Sequence, residues 1–303
     1  MTKFIFNKNK INILINCAAL GDTICAMPII KNLLAENRIN GILSNARWIE
    51  LMELYGIPSD MITLMREDGT LTPFDDKGFL IAPFYLEHRA PYRVHLIDFF
   101  SYSVTYSILK PKEKSIKIDP SRLPVNPIKS SGYVVMQGST RLRSRTMPKS
   151  CWESIRDGIL RLGLEVVVLG DPKDSSDYDL SNCNAEYMGC GLGVSAAICA
   201  GARCVVGVDG GLIYIASTTD VPIVAGYTFV DPYYRAPWRD GVFAKNFSAV
   251  GPRGDCKYCT NSLCAYGIEF DKSCPNGLDF DCMKTLHPDD FMLAILSYCQ
   301  PQD

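Results

Sequence analysis

Short apolar segments of strand type alternate with segments of helical spacing along this chain of 303 residues. The sequence changes character at residues 111–131, where four prolines, several lysines and a Ser-Ser-Gly sequence indicate a linker. Because strand–helix alternation is typical of parallel α/β sheets, the pattern predicts two α/β units. A cleft between two such units is a usual place for a ligand.

The clearest strand predictions rest on short apolar runs, which lie at residues 11–15, 39–43, 61–65, 79–82, 133–136, 165–169, 204–208 and 222–225. Helices are predicted after the first strand as far as residue 35, and at residues 46–55, 148–163, 194–200, 211–218 and from 287 onward. Residues 83–110 are rich in aromatic side chains and show no clear pattern. The predicted domains are residues 1–128 and 129–285, followed by a C-terminal helix within residues 286–303.

The composition excludes some classes of protein. With 31 basic and 33 acidic residues, the net charge of −2 argues against a broadly basic nucleic-acid binder. No apolar run approaches the roughly 20 residues that span a bilayer. The lysines near the N-terminus and the apolar segment that follows them resemble the start of a signal peptide. Asn12 and Asn16 interrupt that apolar segment, however, which argues against a signal peptide. Eight of the 13 cysteines are scattered in apolar surroundings, which predicts a reducing compartment, the cytoplasm.

A Gly-Asp pair, Gly21 and Asp22, follows the first predicted strand and opens a helix-like segment. Gly21 lets a substrate or the backbone approach closely and is a candidate donor-binding residue. The partial positive charge of a helix N-terminus favours an ionised carboxylate. Such a carboxylate can take a proton from a hydroxyl held nearby, and it would repel a phosphate. The pattern therefore indicates a general base at Asp22, with a simple helix N-cap as the alternative interpretation.

A basic loop lies between a predicted strand and a predicted helix, at residues 137–152. Arginine forks and hydroxyls beside a helix N-terminus suit a diphosphate, although a solvated basic loop is the alternative. The candidate binding side chains of this loop are Ser139, Thr140, Arg141, Arg143, Ser144, Arg145, Thr146 and Lys149.

A glycine pair, Gly210 and Gly211, follows Asp209 at the end of another predicted strand and opens a predicted helix. Backbone N–H groups at such a corner can face an anion, so this corner is a second candidate phosphate site. The alternative is a tight strand-to-helix turn with no ligand.

Five cysteines crowd into residues 256–282 with the spacing C-x2-C-x4-C-x9-C-x7-C. A CxxC pair with later cysteines can form a tetrahedral thiolate site for zinc or iron. Five candidates for four positions leave the ligand set open, and free thiols or disulfides are the alternatives. The five residues are Cys256, Cys259, Cys264, Cys274 and Cys282. Because the cluster holds no histidine, a metal there is expected to be structural.

Four segments in order resemble glycosyltransferase family 9, the ADP-heptose-type glycosyltransferases. The segments are "LGDTICAMPIIKNLL", "VVMQGSTRLRSRTMPKSCWESI" followed by "GLEVVVLGDP", "CVVGVDGGLIYIASTTDVPIVAGYTFVDP", and "CM" followed by "LHPDDFMLAI". The resemblance implies the GT-B fold, an α/β architecture of two Rossmann-like domains facing a central cleft. The N-terminal domain would bind the acceptor, and the C-terminal domain would bind the nucleotide sugar.

The resemblance also implies a reaction. A sugar would pass with inversion from a nucleotide diphosphate sugar, ADP-heptose by preference, to an acceptor hydroxyl, without a catalytic metal. Asp22 would be the base, and Thr140, Arg145, Gly210 and Gly211 would contact the donor phosphates beside Asp209. Some relatives, including iron-binding protein heptosyltransferases, carry a C-terminal cysteine cluster.

This chain departs from the family pattern at three positions. Gly210 stands where the family usually has threonine, Tyr214 where a histidine is common, and Arg145 where a lysine is expected. Lipopolysaccharide core, a protein side chain and a modified nucleobase in DNA are all possible acceptors. A nucleotide-sugar epimerase and a non-catalytic scaffold that binds a nucleotide sugar or a metal are the alternative functions.

Overall fold

The computed structural model describes residues 10–15, 19–64, 78–81, 94–137, 143–172, 182–261, 274 and 276–299. The N-terminal unit has four strands, which are β1 (Ile11–Ile15), β2 (Ile39–Ser44), β3 (Ile62–Leu64) and β4 (Gly78–Ile81). They form a parallel sheet in the order β3-β2-β1-β4. The helices of this unit are α1 (Leu20–Ala35), α2 (Ile49–Leu54) and α3 (Leu96–Thr105).

Helix α1 is the central helix of the N-terminal unit. Every residue from 21 to 30 is buried, because α1 is apolar on nearly all sides and packs into the core with Ile13 and Ile15 of β1. A helix that is apolar all round is stable only when it is surrounded by protein. This packing fixes the position of the first turn of α1, which follows the carboxyl end of β1.

The C-terminal unit contains the remaining strands, which are β5 (Tyr133–Gln137), β6 (Glu165–Gly170), β7 (Ala185–Met188), β8 (Cys204–Val208), β9 (Ile223–Gly226), β10 (Trp238–Arg239), β11 (Val242–Phe243) and β12 (Phe247–Val250). Its helices are α4 (Lys149–Arg161), α5 (Leu192–Gly201), α6 (Gly211–Ser217), α7 (Asp281–Lys284) and α8 (Pro288–Cys299). Strands β10 and β11 form a small antiparallel hairpin.

The other six strands form a parallel sheet in the order β12-β9-β8-β5-β6-β7. Read from its other edge, this is the strand order of the doubly wound dinucleotide-binding fold. Ligands of such sheets bind beyond the carboxyl ends of the strands, where the strand order reverses. In this unit the reversal lies between β5 and β8, so the segments after Gln137 and Val208 are the expected binding loops.

The predicted alternation of strands and helices is confirmed, with bounds that differ by a few residues. Six elements were missed by the sequence analysis, namely the helices α3 and α7 and the strands β7, β10, β11 and β12. Strands β7 and β12 are edge strands that are only partly buried, so they lack the continuous apolar run that marks central parallel strands. None of the helices within the described residues is both long and apolar enough to cross a membrane.

Glu50 and His95 of the N-terminal unit make polar contacts with the C-terminal unit. The Glu50 carboxylate accepts hydrogen bonds from the backbone N–H groups of Leu192 (3.0 Å) and Gly193 (2.8 Å), in the first turn of α5. His95, the N-cap of α3, shares a 2.8 Å hydrogen bond between Nε2 and the carbonyl oxygen of Ala236. Its ring also packs edge-on against Trp238.

His95 should make stability depend on pH. Burial lowers the pKa of His95 from its usual 6.5 to about 4; nearby, Arg235 and Lys114 also lower it, whereas Asp98 raises it. The unfolded chain therefore binds the proton more readily, and folding stability is lost as pH falls from about 6.5 towards about 4. We expect this group to contribute up to about 3 kcal/mol to that loss.

Urea unfolding at several pH values tests this expectation. In the variant His95→Gln, which keeps an N–H donor for Ala236, the loss of stability between pH 6.5 and 4 should be smaller than in the wild type. The same change at His287, an exposed histidine, serves as the control. Equal pH dependence in wild type and His95→Gln would contradict the assignment.

Candidate active site

A cavity of about 290 Å³ lies between the two units, at the edge where both parallel sheets end. The N-terminal unit contributes the start of α1 and Leu96, and the C-terminal unit contributes residues after β5, β8 and β9. The lining residues are Ala19, Leu20, Gly21, Asp22, Leu96, Arg145, Asp209, Gly210, Gly211, Tyr214 and Arg235. Candidates from three separate sequence segments therefore meet in one place.

Asp22 is the third residue of α1 and is 5% exposed. The alternative interpretation of Asp22 as the helix N-cap is wrong, because Ala19 occupies the cap position. A first-turn carboxylate still benefits from the helix dipole. Its side chain belongs to the cavity wall, so it can meet a ligand that enters between the two units.

Gly21 lets α1 and α6 approach each other closely. A Cβ atom added at Gly21 would lie 2.5 Å from Cδ2 of Tyr214, which is nearer than real Cβ contacts come. A Cβ atom added at Gly211 would lie 3.6 Å from Cδ2 of Leu20, an ordinary van der Waals distance. The first turns of the two helices are thus in direct contact, and Gly21 is the residue that this contact requires.

Arg145 and Asp209 form an ion pair across the two binding loops of the C-terminal unit. Nη2 of Arg145 lies 3.5 Å from Oδ2 of Asp209, whose side chain is 5% exposed. The Arg145 guanidinium also lies 5.0 Å from the centroid of the Phe229 ring, within cation–π range. These contacts hold the guanidinium at the cavity wall, where Gly210 caps the first turn of α6.

The loop that follows β9 connects Arg145 to the cysteine-rich segment. Thr228 donates a 3.0 Å hydrogen bond from Oγ1 to the carbonyl oxygen of Ser144, next to Arg145. The carbonyl oxygen of Phe229 accepts hydrogen bonds from N (3.1 Å) and Oγ1 (2.8 Å) of Thr260, which follows Cys259. The cysteine-rich segment therefore supports the loop after β9, and that loop in turn supports the backbone next to Arg145.

Two buried tyrosines lie close to Asp209. Burial first, and then the Asp209 carboxylate, raise the pKa of the Tyr214 and Tyr227 hydroxyls well above their usual range. Arg235 acts in the opposite direction on both hydroxyls, and Arg145 does so on Tyr227. Both tyrosines therefore remain uncharged phenols at neutral pH.

Arg239 anchors the far end of α6. Its side chain is fully buried, and its guanidinium donates hydrogen bonds to the carbonyl oxygens of Ala216 (3.0 Å), Ser217 (3.2 Å) and Val221 (2.9 Å). A cation at a helix C-terminus satisfies carbonyl groups that have no partner within the helix. Burial lowers the pKa of Arg239 to about 10, so the side chain is still charged at neutral pH. Because the C-terminal end of α6 is anchored in this way, its first turn is held at the cavity.

The cysteine-rich segment is only partly described. Within the described residues, no three His, Cys, Asp or Glu side chains are arranged so that they could hold a metal ion. Burial, followed by the neighbouring thiols of Cys282, Cys256 and Cys274, raises the pKa of the Cys259 thiol to about 12. These four cysteines are near one another, and all are in the reduced thiol form. Cys264 lies outside the described residues, so the metal stays a prediction.

Other predicted site residues also fall outside the described residues. They are Ser139, Thr140 and Arg141. Conversely, the sequence analysis did not identify Leu96 or Arg235 as cavity residues. Neither follows a strand directly or belongs to a glycine-rich corner, so the sequence carries no local signal for them.

The model of glycosyltransferase family 9 (heptosyltransferase) matches residues 103–253, about half of the chain. No curated protein sequence matches the chain significantly.

Several solved structures share the fold. The iron-containing dodecameric glycosyltransferase TibC from enterotoxigenic E. coli is 14% identical, with a TM-score of 0.75 over 96% of this chain and 76% of TibC. A family 9 glycosyltransferase from Veillonella parvula is 12% identical, with a TM-score of 0.64 over 98% of this chain and 99% of that one. The E. coli heptosyltransferase WaaC is 14% identical, with a TM-score of 0.54 over 88% and 97%.

At these identities the structural likeness establishes the architecture, which is the two-domain GT-B fold. The family model adds the kind of activity, so the chain is a glycosyltransferase. It belongs to glycosyltransferase family 9, as the sequence motifs predict.

Proposed function

We propose that this enzyme transfers a heptosyl group from ADP-heptose to an acceptor hydroxyl, with inversion at the anomeric carbon and with Asp22 as the general base. The observation that carries the proposal is the cavity itself, in which Asp22 of one unit faces Arg145 and Gly210–Gly211 of the other. Two structures of similar fold support the donor: TibC in complex with ADP-D-β-D-heptose and WaaC with ADP-2-deoxy-2-fluoro heptose.

In the proposed reaction the acceptor enters from the N-terminal unit. The Asp22 carboxylate takes the hydroxyl proton as the acceptor oxygen attacks the anomeric carbon. The bond between that carbon and the diphosphate breaks, and its electron pair stays on the diphosphate. Attack and departure occur on opposite faces of the sugar, so the configuration inverts.

The departing diphosphate needs positive charge and N–H donors at the moment when its own charge grows. Arg145 supplies the charge, and the backbone N–H groups at Gly210 and Gly211 supply donors. Helix α6 has only seven residues, so its dipole is a small part of this contribution. We assign further diphosphate contacts to Ser139, Thr140 and Arg141, which precede Arg145 in the same loop.

A metal ion has no step in this reaction, so we expect transfer to continue in the presence of a chelator of divalent ions.

The structural zinc or iron ion predicted for the cysteine-rich segment is a separate proposal, because the described thiols are not arranged as a ligand group. Four of the five cysteines would hold it. Elemental analysis of the purified protein should find about one zinc or iron ion per chain, and a metal-free, folded protein would contradict it.

The experiment that tests the function combines donor screening with product analysis. We expect ADP-heptose to raise the melting temperature more than UDP- or GDP-linked hexoses do. With an acceptor panel of lipopolysaccharide core, serine-rich peptides and hydroxymethylated DNA, mass spectrometry should detect a heptosylated product and free ADP. NMR of the new linkage should show the α configuration from a β donor. An altered nucleotide sugar formed without any acceptor would instead indicate an epimerase, and binding without any product would indicate a scaffold.

A further inference from the structure

Arg235 is a buried cation at the cavity to which neither the sequence motifs nor the comparisons give a role. It follows a short helical turn, Pro232–Tyr234, in the connection between β9 and β10. The residue is 6% exposed, and it contributes to the cavity wall together with Arg145. One guanidinium nitrogen, Nη1, donates a 3.1 Å hydrogen bond to the carbonyl oxygen of Tyr234. Burying a guanidinium is costly unless an anion or hydrogen-bond acceptors compensate it.

The charges around the cavity show why a second arginine is needed there. Among the described residues, the charged side chains of the lining are two carboxylates, Asp22 and Asp209, and two guanidiniums, Arg145 and Arg235. Arg145 is already paired with Asp209 at 3.5 Å. A diphosphate adds negative charge to this balance, and it gains more as it leaves the sugar. Because Arg145 has to serve both Asp209 and the diphosphate, Arg235 adds a second guanidinium for the same anions.

Arg235 acts on the same buried groups as Asp209 does. Its charge lowers the pKa of both Tyr214 and Tyr227, whereas the Asp209 carboxylate raises both. The guanidinium is therefore within electrostatic range of the corner where β8 passes into α6. A cation in a largely buried cavity interacts with an anion more strongly than a surface cation does, because water screens the charges less.

We propose that Arg235 is a second diphosphate-binding residue, which contacts the phosphates of a nucleoside diphosphate together with Arg145. The inference rests on the proposed function, because it takes the cavity to be the nucleotide-sugar site. It adds a residue from a third loop of the C-terminal unit, the connection between β9 and β10, to the two loops that the motifs identify. Arginine is suited to this role because its planar fork can donate two parallel hydrogen bonds to phosphate oxygens.

The test is calorimetric titration of ADP, AMP and adenosine into the wild type, Arg235→Gln and Arg235→Lys. We expect Arg235→Gln to weaken ADP binding about 10- to 100-fold and AMP binding less, with adenosine binding unchanged. Arg235→Lys should recover part of the ADP affinity, because it restores the charge without the fork. Arg161→Gln, at an exposed arginine in the last turn of α4, is the matched control and should bind all three probes as the wild type does.

Three results would count against the proposal in different ways. If Arg235→Gln and the wild type discriminate equally between ADP and AMP, Arg235 does not contact the diphosphate, and the proposed function is unaffected. A loss that is equal for ADP, AMP and adenosine would likewise assign Arg235 a purely structural role. If the wild type binds none of ADP, GDP and UDP, the proposed function fails first and the inference fails with it.

Discussion

Replacing Asp22 by asparagine or alanine should reduce glycosyl transfer by about 10²- to 10⁴-fold, the usual contribution of a general base. Asp22→Asn keeps the size of the side chain but cannot take up the acceptor proton. The affinity for ADP should stay within about twofold of the wild type, because the diphosphate contacts belong to the other unit. The kcat of transfer, measured from the ADP that the reaction forms, and calorimetric titration of ADP separate these two effects.

A suitable control for Asp22 is another acidic residue in a first helical turn. Asp289 lies in the first turn of α8 and its side chain is 78% exposed. Asp289→Asn should leave both transfer and ADP binding unchanged. Two observations would contradict the assignment of the base: an Asp22→Asn variant that retains a tenth or more of the wild-type rate, or one that loses ADP affinity and rate together.

The second large effect is expected at Gly21, where alanine should reduce kcat by about 100-fold although it introduces no charge and removes no polar group. The new methyl group would lie 2.5 Å from the Tyr214 ring, so α1 and α6 must move apart. Asp22 is the next residue in the chain, and its displacement from the donor site would misalign the reacting groups. Steady-state kinetics and thermal unfolding of the variant measure the two consequences, catalytic and structural.

Removal of the Tyr214 ring should partly reverse the loss of activity caused by Gly21→Ala. We expect the double variant Gly21→Ala/Tyr214→Ala to be more active than the product of the two single effects predicts, because the alanine methyl group then has room. Gly132→Ala is the control, since a Cβ atom there meets only Cδ2 of Leu164 at 3.9 Å. If Gly21→Ala is as active as Gly132→Ala, the close approach of the helices is not needed for catalysis.

Central strands and the loops directly after them could be predicted from the sequence. Strands such as β5 and β8 are buried on both faces, so each appears as a continuous apolar run. Asp209 directly follows β8, whereas Asp22 and Arg145 lie seven and eight residues after the ends of β1 and β5. Parallel strands place their carboxyl ends at one edge of a sheet, and this topology brings Arg145 and Asp209 together.

Residues whose position depends on tertiary packing could not be predicted in this way. Arg235 reaches the cavity from an irregular connection, and Leu96 belongs to an aromatic-rich region whose helical periodicity is obscured. The contact between Gly21 and Tyr214 joins positions nearly 200 residues apart in the chain.

The contact of Glu50 with the start of α5 bears on how the enzyme meets its substrate. If the two units swung apart, the exposed Glu50 carboxylate would exchange two hydrogen bonds for contacts with water, and two amides of α5 would lose their acceptor. Separation of the two units is therefore modestly disfavoured even before a ligand binds. An incoming nucleotide sugar therefore meets two units that are already aligned, so less of its binding energy is spent on ordering the protein.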